Sequence, residues 1–518
     1  MNGAESLLNT AVAAGVEVCF ANFGTSEVTL VAALGSVSGI RSVPALFEGV
    51  CTGAADGYGR MADKPAMTLL HLGLGLANGL ANLHNAKRAG TPVLNIVGQH
   101  ATWHLPWDSA ELTDIEGLAA PVSGWLRTSA SADTVSRDTA EAITAALRGQ
   151  VAVLIVPQEC QWNEVTDRAV VSPSFAYDPV DEASLREAAE FLRNGPTALL
   201  FLGGRALHRK GLLAAARIKA ATGCGILAET LYGRMEKGAG IPLVDRLPYF
   251  PEPAVACLSP YQSVVLAGAP EPIATFGYKG GRSRLLSADP RVFTVAGENQ
   301  DPEEALDRLA DLLSSSKVTA PLASLQEPLA ALEIPKGALT AEAACRTLAA
   351  LQPEGAIIVD ESVTTGGAYY GLSAASPPHT VLALTGGAIG QGMPCAVGAA
   401  IACPERPVIN FQADGSAMYT LQALWTQARE GLGVTTLICS NRGYNILKVE
   451  MARAGYTPPS EVVSALTDLD NPPLDWVKLS RGMGVPAVSV ESAEDLAKEL
   501  AQALKEPGPH LIEMVLTR

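Results

Sequence analysis

The chain is short of several things, and each shortage removes a class of function. Its nine cysteines are scattered with no Cys-x-x-Cys pair among them, so neither a zinc ribbon nor a disulfide framework is indicated, and reduced, buried thiols are expected. Basic residues are outnumbered, 37 Lys and Arg against 53 Asp and Glu for a net charge of -16, which disfavours an extended nucleic-acid interface. The N-terminus, Met1-Asn2-Gly3-Ala4-Glu5-Ser6, lacks a basic flank followed by an apolar run, so no signal peptide is read. The most apolar stretch, from Gly386 to Cys403, is interrupted by Gln391, Pro394 and many glycines and does not read as a membrane span. A cytoplasmic protein is the expectation.

What is present is material for several domains: 518 residues, apolar and Gly/Ala-rich, in the manner of an α/β enzyme. Up to about residue 165, short apolar runs alternate with helical stretches. Val16 to Phe20, Ser42 to Leu46, Ala66 to Leu70, Val93 to Val97 and Val151 to Val156 are the expected strands of a parallel sheet. A proline-bearing polar stretch from Val171 to Pro179 reads as a linker. Beyond it come a strand at Ala198 to Leu202, Gly203-Gly204-Arg205, a helix from Lys210 to Thr222 and a strand at Gly225 to Ala228. The G-x-G-x-x-G spacing and a phosphate lysine are both missing, so this half of a nucleotide-binding fold reads as a structural middle domain, with a nicotinamide dehydrogenase as the weak alternative. A second linker runs from Ser314 to Pro335. The third segment again alternates, with strands at Ala356 to Val359, Val381 to Leu384, Val408 to Phe411, Val434 to Cys439 and His510 to Val515. The fold class expected is α/β, three doubly wound parallel-sheet domains at 1–170, 180–315 and 336–518.

The chemistry concentrates at strand ends. Val408 to Phe411, a helix from Met418 to Glu430 and Val434 to Cys439 form a βαβ unit, so the loops after both strands lie at one carboxyl edge of the sheet, where open α/β folds bind ligands. Asp414 and Asn441 are thereby expected to be neighbours. A carboxylate oxygen, an amide oxygen and a loop carbonyl, Gly443 being the expected donor, supply about half of an octahedral Mg²⁺ shell and leave room for diphosphate oxygens and water. Gly415 admits close backbone approach, and Ser416 stands at a helix start that favours an anion. Alone, Asp-Gly-Ser reads equally well as a capped turn. In the first segment, Glu48 between Leu46-Phe47 and Val50 is a candidate buried acid, since burial raises a carboxyl pKa; a solvated helix cap is the alternative. His71 ends a strand as either a core histidine or an active-site group. The His71-Leu72-Gly73-Leu74-Gly75 stretch is a weak phosphate loop, because no Lys-Ser/Thr closes it. Gln99, His100 and His104 form a polar loop cluster of the kind that contacts substrates.

Taken together, these motifs resemble the thiamin diphosphate-dependent enzymes, in the group of acetolactate synthase, benzoylformate decarboxylase and benzaldehyde lyase, along the whole chain. Leu46-Phe47-Glu48-Gly49 is similar to the family's catalytic glutamate segment, Ala413-Asp414-Gly415-Ser416 with Asn441 to its metal-diphosphate signature, and Gly386 to Pro394 to the stretch supporting the bent cofactor. The resemblance implies that Glu48, protonated, bonds the pyrimidine ring and assists removal of the thiazolium C2 proton. It further implies that Ile389 forces the two rings together and that Gly387 offers a carbonyl to the aminopyrimidine, with Ile446 also at the cofactor. The cofactor would supply the nucleophile and the electron sink. His71 and Thr25 look like the substrate-contacting histidine and serine of benzoylformate decarboxylase, Thr25 replacing serine, and Gln99 resembles a glutamine of acetolactate synthases. Ala413 and Ser440 depart from the signature at positions that are not expected metal ligands. The segment after Asn441 lacks the tryptophan of biosynthetic acetolactate synthases, and the middle domain lacks their glycine-rich run, so no FAD is expected. The implied activity is a 2-oxo acid decarboxylase and carboligase, a transferase or lyase. Alternatives are a lyase of 2-hydroxyketones or 2-hydroxyacyl thioesters and a non-catalytic partner subunit. The implied assembly is a homodimer or homotetramer with active sites between subunits.

Overall fold

The computed structural model describes all residues except 167–174, 288–289, 298, 315–331, 458 and 518. Residues 171–174 of the first expected linker and most of the second therefore lie outside the described residues. The described chain divides into two compact units. One comprises Met1–Phe175, Leu332–Ser373 and Leu382–Arg518; the other comprises Ala176–Ala331 and Ala374–Val381.

The N-terminal segment builds a six-stranded sheet in the spatial order Arg41–Pro44, Val18–Asn22, Ala66–Leu70, Val93–Gln99, Val151–Pro157, Trp125–Thr128, with every adjacent pair parallel. Val151–Pro157 is buried at all seven positions, as a central strand covered by helices on both faces must be. Four of its neighbours match the runs read from sequence to within two residues. Trp125–Thr128 was not anticipated. It is a four-residue edge strand with every residue only half-buried, so it has no apolar run to announce it.

The C-terminal segment repeats the arrangement. Val408–Ala413 lies between Ile357–Glu361 and Val434–Ser440, followed outward by His510–Val515 and then Ala487–Val490. Counting His379–Ala383 as the second strand of the C-terminal segment, the third strand in both sheets sits between the first and the fourth, and the last strand inserts inside the penultimate one. The expected helix from Met418 to Glu430 is broken: a short turn at Asp414–Ala417 is separated from a helix at Ala423–Glu430. Between them the Thr420 hydroxyl donates to the Gly390 carbonyl at 2.8 Å, tying this stretch to the loop from Thr385 to Gly392.

The two segments meet through a pair of helices with almost no side chains between them. Glu48–Ala62 and Gly392–Ala402 are buried along nearly their whole lengths. A Cβ on Gly57 would lie 2.0 Å from the Cys395 carbonyl oxygen, and one on Gly398 would lie 1.8 Å from that of Ala54. Glycine is required at these two crossings because the partner atoms are backbone and cannot give way. A buried ion pair flanks the crossing: Arg60 donates through Nε and Nη2 to Asp56 at 2.8 and 2.6 Å, and through Nη1 to the Ala383 carbonyl at 2.7 Å.

The second unit carries a five-stranded parallel sheet, ordered Asp245–Arg246, Gly225–Ala228, Ala198–Leu202, Ser263–Ala267, Arg291–Thr294. All nine cysteines are free thiols; Cys257 and Cys403 are partly exposed and the other seven are buried. Among the described residues no helix is long and apolar enough to cross a membrane.

Candidate active site

In the N-terminal sheet the strand order reverses at Val18–Asn22, the crevice where doubly wound sheets bind ligands. Two loops converge there. Gly24-Thr25-Ser26-Glu27 follows the first strand and His71 follows Ala66–Leu70. The His71 Nδ1 atom lies 2.8 Å from Glu27 Oε2 and 3.1 Å from Ser26 Oγ. Glu27 is wholly buried; it accepts the Gly24 N–H at 2.9 Å and the Ser26 hydroxyl at 2.6 Å. Thr25 is exposed, so the hydroxyl that meets His71 belongs to Ser26 and not to Thr25.

Glu48 opens its helix directly, with Phe47 as the flanking residue, where a carboxylate complements the helix N-terminus. It is half-buried in the single chain, between the buried acid and the solvated helix cap that the sequence left open. Asn78 Nδ2 donates to its Oε2 at 3.0 Å. A Cβ on Gly75 would lie 3.1 Å from Glu48 Oε1 and 3.4 Å from His71 Cβ. The glycine of the weak phosphate-loop reading therefore has a different use: its missing side chain lets Glu48 and His71 approach one face of the helix Leu72–Ala89. Gln99 ends the next strand, and its side chain folds back to accept the His100 N–H at 2.8 Å. Glu111, absent from the sequence reading, reaches to 3.6 Å from His71 Nε2.

At the C-terminal edge, Asp414 and the Asn441 turn are adjacent as expected. Asp414 Oδ1 accepts the Gly415 N–H at 2.8 Å and Oδ2 the Arg442 N–H at 2.7 Å. Burial pushes the Asp414 carboxyl up to about 6 against the pull of these two bonds. Asn441 Oδ1 accepts the Gly443 N–H at 3.0 Å, and the Gly443 carbonyl accepts the Asn445 N–H at 3.0 Å, which leaves each oxygen a second lone pair. Arg442 adopts a positive φ of 60° in the turn that aligns them. A desolvated carboxylate short of positive partners, beside an amide and a carbonyl oxygen, is a donor set that fits a hard divalent cation such as Mg²⁺. Among the described residues no group of three or more His, Cys, Asp and Glu side chains is placed to hold a metal ion, so that set depends on the neutral oxygens. Ser416 is buried, and Ile446, second in the open helix Asn445–Arg453, is half-buried.

The loop from Thr385 to Gly392 is held from two sides. Glu361, wholly buried, accepts the N–H groups of Gly390 and Gly392, each at 2.6 Å, and the Gln412 amide at 2.9 Å; burial raises its carboxyl pKa. From the N-terminal segment, Asn85 donates to the Ala388 carbonyl at 2.8 Å and His84 Nε2 lies 3.2 Å from that of Gly386, while Gln391 donates to Asp56 at 3.1 Å. Between these anchors Gly387 is exposed at φ 75°, with nothing within 4 Å of its absent Cβ, and Ile389 is half-buried. A tethered loop with an open glycine and one apolar side chain suits a planar heterocycle laid against it. Glu27, Glu361, Asp56 and Asn85 were missed in the sequence because each acts through partners distant along the chain. Only Glu27 carried a local signal, an acid closing a Gly-Thr-Ser turn at a strand end.

Comparison with known proteins agrees with this geometry. Residues 1–118 match the thiamine pyrophosphate enzyme N-terminal TPP binding domain and residues 363–514 match the C-terminal TPP binding domain of the same enzymes. A protein of Mycobacterium tuberculosis, provisionally named acetolactate synthase large subunit, is 47% identical over 519 residues, covering 100% of this chain and 99% of its own. Benzoylformate decarboxylase of Pseudomonas aeruginosa is 28% identical over 546 residues, covering 96% of each. In fold, the chain is similar to the solved 4-hydroxybenzoylformate decarboxylase of Rhodococcus jostii RHA1, with a TM-score of 0.87 at 23% identity over 100% of this chain and 99% of that one. The chain belongs to the thiamine pyrophosphate enzyme family. It is a thiamin diphosphate-dependent enzyme that forms or cleaves carbon–carbon bonds.

Proposed function

We propose that the chain is a Mg²⁺-dependent decarboxylase and carboligase of 2-oxo acids, acetolactate synthase-like, which either releases the aldehyde or joins it to a second carbonyl compound. When bound, thiamin diphosphate supplies a nucleophilic carbon and an electron sink. The chain's own residues do the rest. Asp414, Asn441 and the Gly443 carbonyl hold the cation, and Gly415 and Ser416 receive the diphosphate. Gly387 and Ile389 seat the heterocycles; Ile446 lines the same space. Glu48 holds a proton on the pyrimidine, and His71 exchanges a proton with the substrate, with Gln99 and Ser26 at the edges of the pocket.

The observation that carries this reading is the approach of Glu48 Oε1 and His71 Cβ to within 3.1 and 3.4 Å of the Cβ that Gly75 lacks, which supports an acid for the cofactor and a histidine for the substrate at one sheet edge. The names of the two relatives, one making acetolactate and one acting on benzoylformate, support the 2-oxo acid class. Glu48 is bonded through its carboxylate to Asn78 of its own segment, and the family resemblance carries the reading of a homodimer or homotetramer in which it serves the neighbouring subunit.

Product analysis with pyruvate and benzoylformate tests the proposal: carbon dioxide together with an aldehyde or a hydroxyketone is expected. Absence of carbon dioxide from both, with cleavage of a 2-hydroxyketone, would establish the lyase reading instead.

A further inference from the structure

We infer that Glu27 is the positioning residue of the active site, fixing which nitrogen of His71 faces the substrate; the inference rests on the reading of His71 as the substrate-facing group. An ionised carboxylate has no hydrogen to give. Glu27 receives the Gly24 N–H and the Ser26 hydroxyl, and its Oε2 stands 2.8 Å from His71 Nδ1, so the hydrogen in that last contact belongs to Nδ1. The Nδ1 proton is then retained whether the ring is neutral or charged. The only proton His71 can exchange is the one on Nε2, and that atom points the other way, toward Glu111 Oε2 at 3.6 Å. Glu111 is half exposed, with 51% of its side chain accessible, so it can swing aside for a ligand while Glu27 cannot.

The surroundings are shaped around this pair. A Cβ on Gly98 would fall 1.8 Å from Glu27 Oε1, and one on Gly24 would fall 2.4 Å from the His71 ring. Gly98, in the strand Val93–Gln99, gives up a side chain to admit the buried carboxylate and Gly24 gives one up to admit the imidazole; an apolar residue of similar size would fill the place of Glu27 at far lower desolvation cost. Such departures from the most stable choice concentrate at functional sites.

Spectra of the full-length holoenzyme labelled with ¹⁵N in its histidine rings, with His71→Asn to assign the signal, should show Nδ1 protonated across the range of activity. Glu27→Gln should switch or mix the tautomer and lower kcat on benzoylformate or pyruvate by about 10²-fold or more, as expected when a buried carboxylate behind an active histidine becomes an amide. KM should move far less, and the C2 hydrogen exchange of the bound cofactor should keep its rate because Glu48 is untouched. Glu27→Asp should retain the tautomer and restore part of the rate, which keeps the test decisive should Glu27→Gln misfold. An unprotonated Nδ1 in the unaltered enzyme, or a Glu27→Gln protein with unchanged tautomer and kcat, overturns the inference. A His71→Ala protein with full turnover overturns the underlying reading, and does so with Glu27 intact.

Discussion

The two terminal sheets share a strand arrangement and differ in what they place at the carboxyl edge. In the N-terminal sheet the carboxyl ends of the first, third and fourth strands carry Glu27, His71 and Gln99, side chains to which the proposed function assigns proton exchange and polar contacts. In the C-terminal sheet the equivalent positions carry Glu361, Asp414 and Asn441, and the work falls to backbone N–H groups, glycines and oxygen donors. The middle sheet is a third instance with its edge filled from within. A Cβ on Gly203 would meet Glu229 Oε1 at 2.5 Å and the Ala269 methyl at 2.7 Å, and Arg205 is tied to Asp301 at 3.3 Å and Glu303 at 3.1 Å. Parallel sheets, two of shared strand order and a middle one ordered differently, thus present under the proposed function a chemical edge, a binding edge and a plugged edge according to the residues that follow each strand.

This division can be broken from either side. The largest effect is expected from Asp414→Ala, which should abolish Mg²⁺-dependent retention of thiamin diphosphate through gel filtration and leave secondary structure intact; a variant that still copurifies with cofactor would show that the C-terminal edge is not the anchor. Glu48→Gln should do the reverse, binding cofactor while C2 hydrogen exchange and turnover drop by about 10²- to 10⁴-fold. If the two edges belong to different subunits, mixing these two inactive proteins should regain activity, since one site of each mixed dimer then has Glu48 and Asp414 both intact.

Separating the sheets mechanically is the next test. Gly398→Ala places its methyl against the Ala54 carbonyl and should cost about 1–3 kcal/mol, read as a lowered midpoint of urea unfolding with cofactor weakened in parallel. The smallest effect concerns the plugged edge. Burial raises the Glu229 carboxyl to about 7 from its ordinary value of 4.5. With its folded value above its unfolded one, Glu229 contributes stability that is complete below about pH 4.5 and lost as pH rises through about 7, a span of about 3 kcal/mol. Glu229→Gln should remove that fall and leave turnover unchanged. His208 has the opposite sign: burial, with Arg234 and Arg205 nearby, pushes it down to about 3, and its approach to Glu303 at 3.6 Å does not reverse this because Arg205 already engages that carboxylate. The two slopes oppose one another between about pH 4.5 and 6.5, so calorimetry of Glu229→Gln should uncover a rise in stability with pH in that window.

Much of the fold was legible because buried parallel strands are short apolar runs closed by turn residues. Ala66–Leu70, Ala198–Leu202, Gly225–Ala228 and His510–Val515 were read to the residue for that reason. Asp414 and Asn441 were legible because the order of a βαβ unit places both loops at one edge. Long-range polar partners left no such trace. Glu361 is recognisable only once the Thr385–Gly392 loop is folded over it, and Asp56 and Arg60 only once their helix meets the C-terminal segment. Ser26, which the sequence reading did not name, meets His71 because it is buried one residue further along the 3₁₀ turn from exposed Thr25, and periodicity does not resolve a rotation of one residue.

The crossing of Glu48–Ala62 with Gly392–Ala402 has a consequence for inheritance. Every missense change at Gly57 or Gly398 adds at least a Cβ, and no neighbour there is free to move. These two codons should therefore tolerate only synonymous drift in relatives that keep this helix pair, whatever substrate they accept, while exposed Thr25 is free to change as lineages acquire new ones.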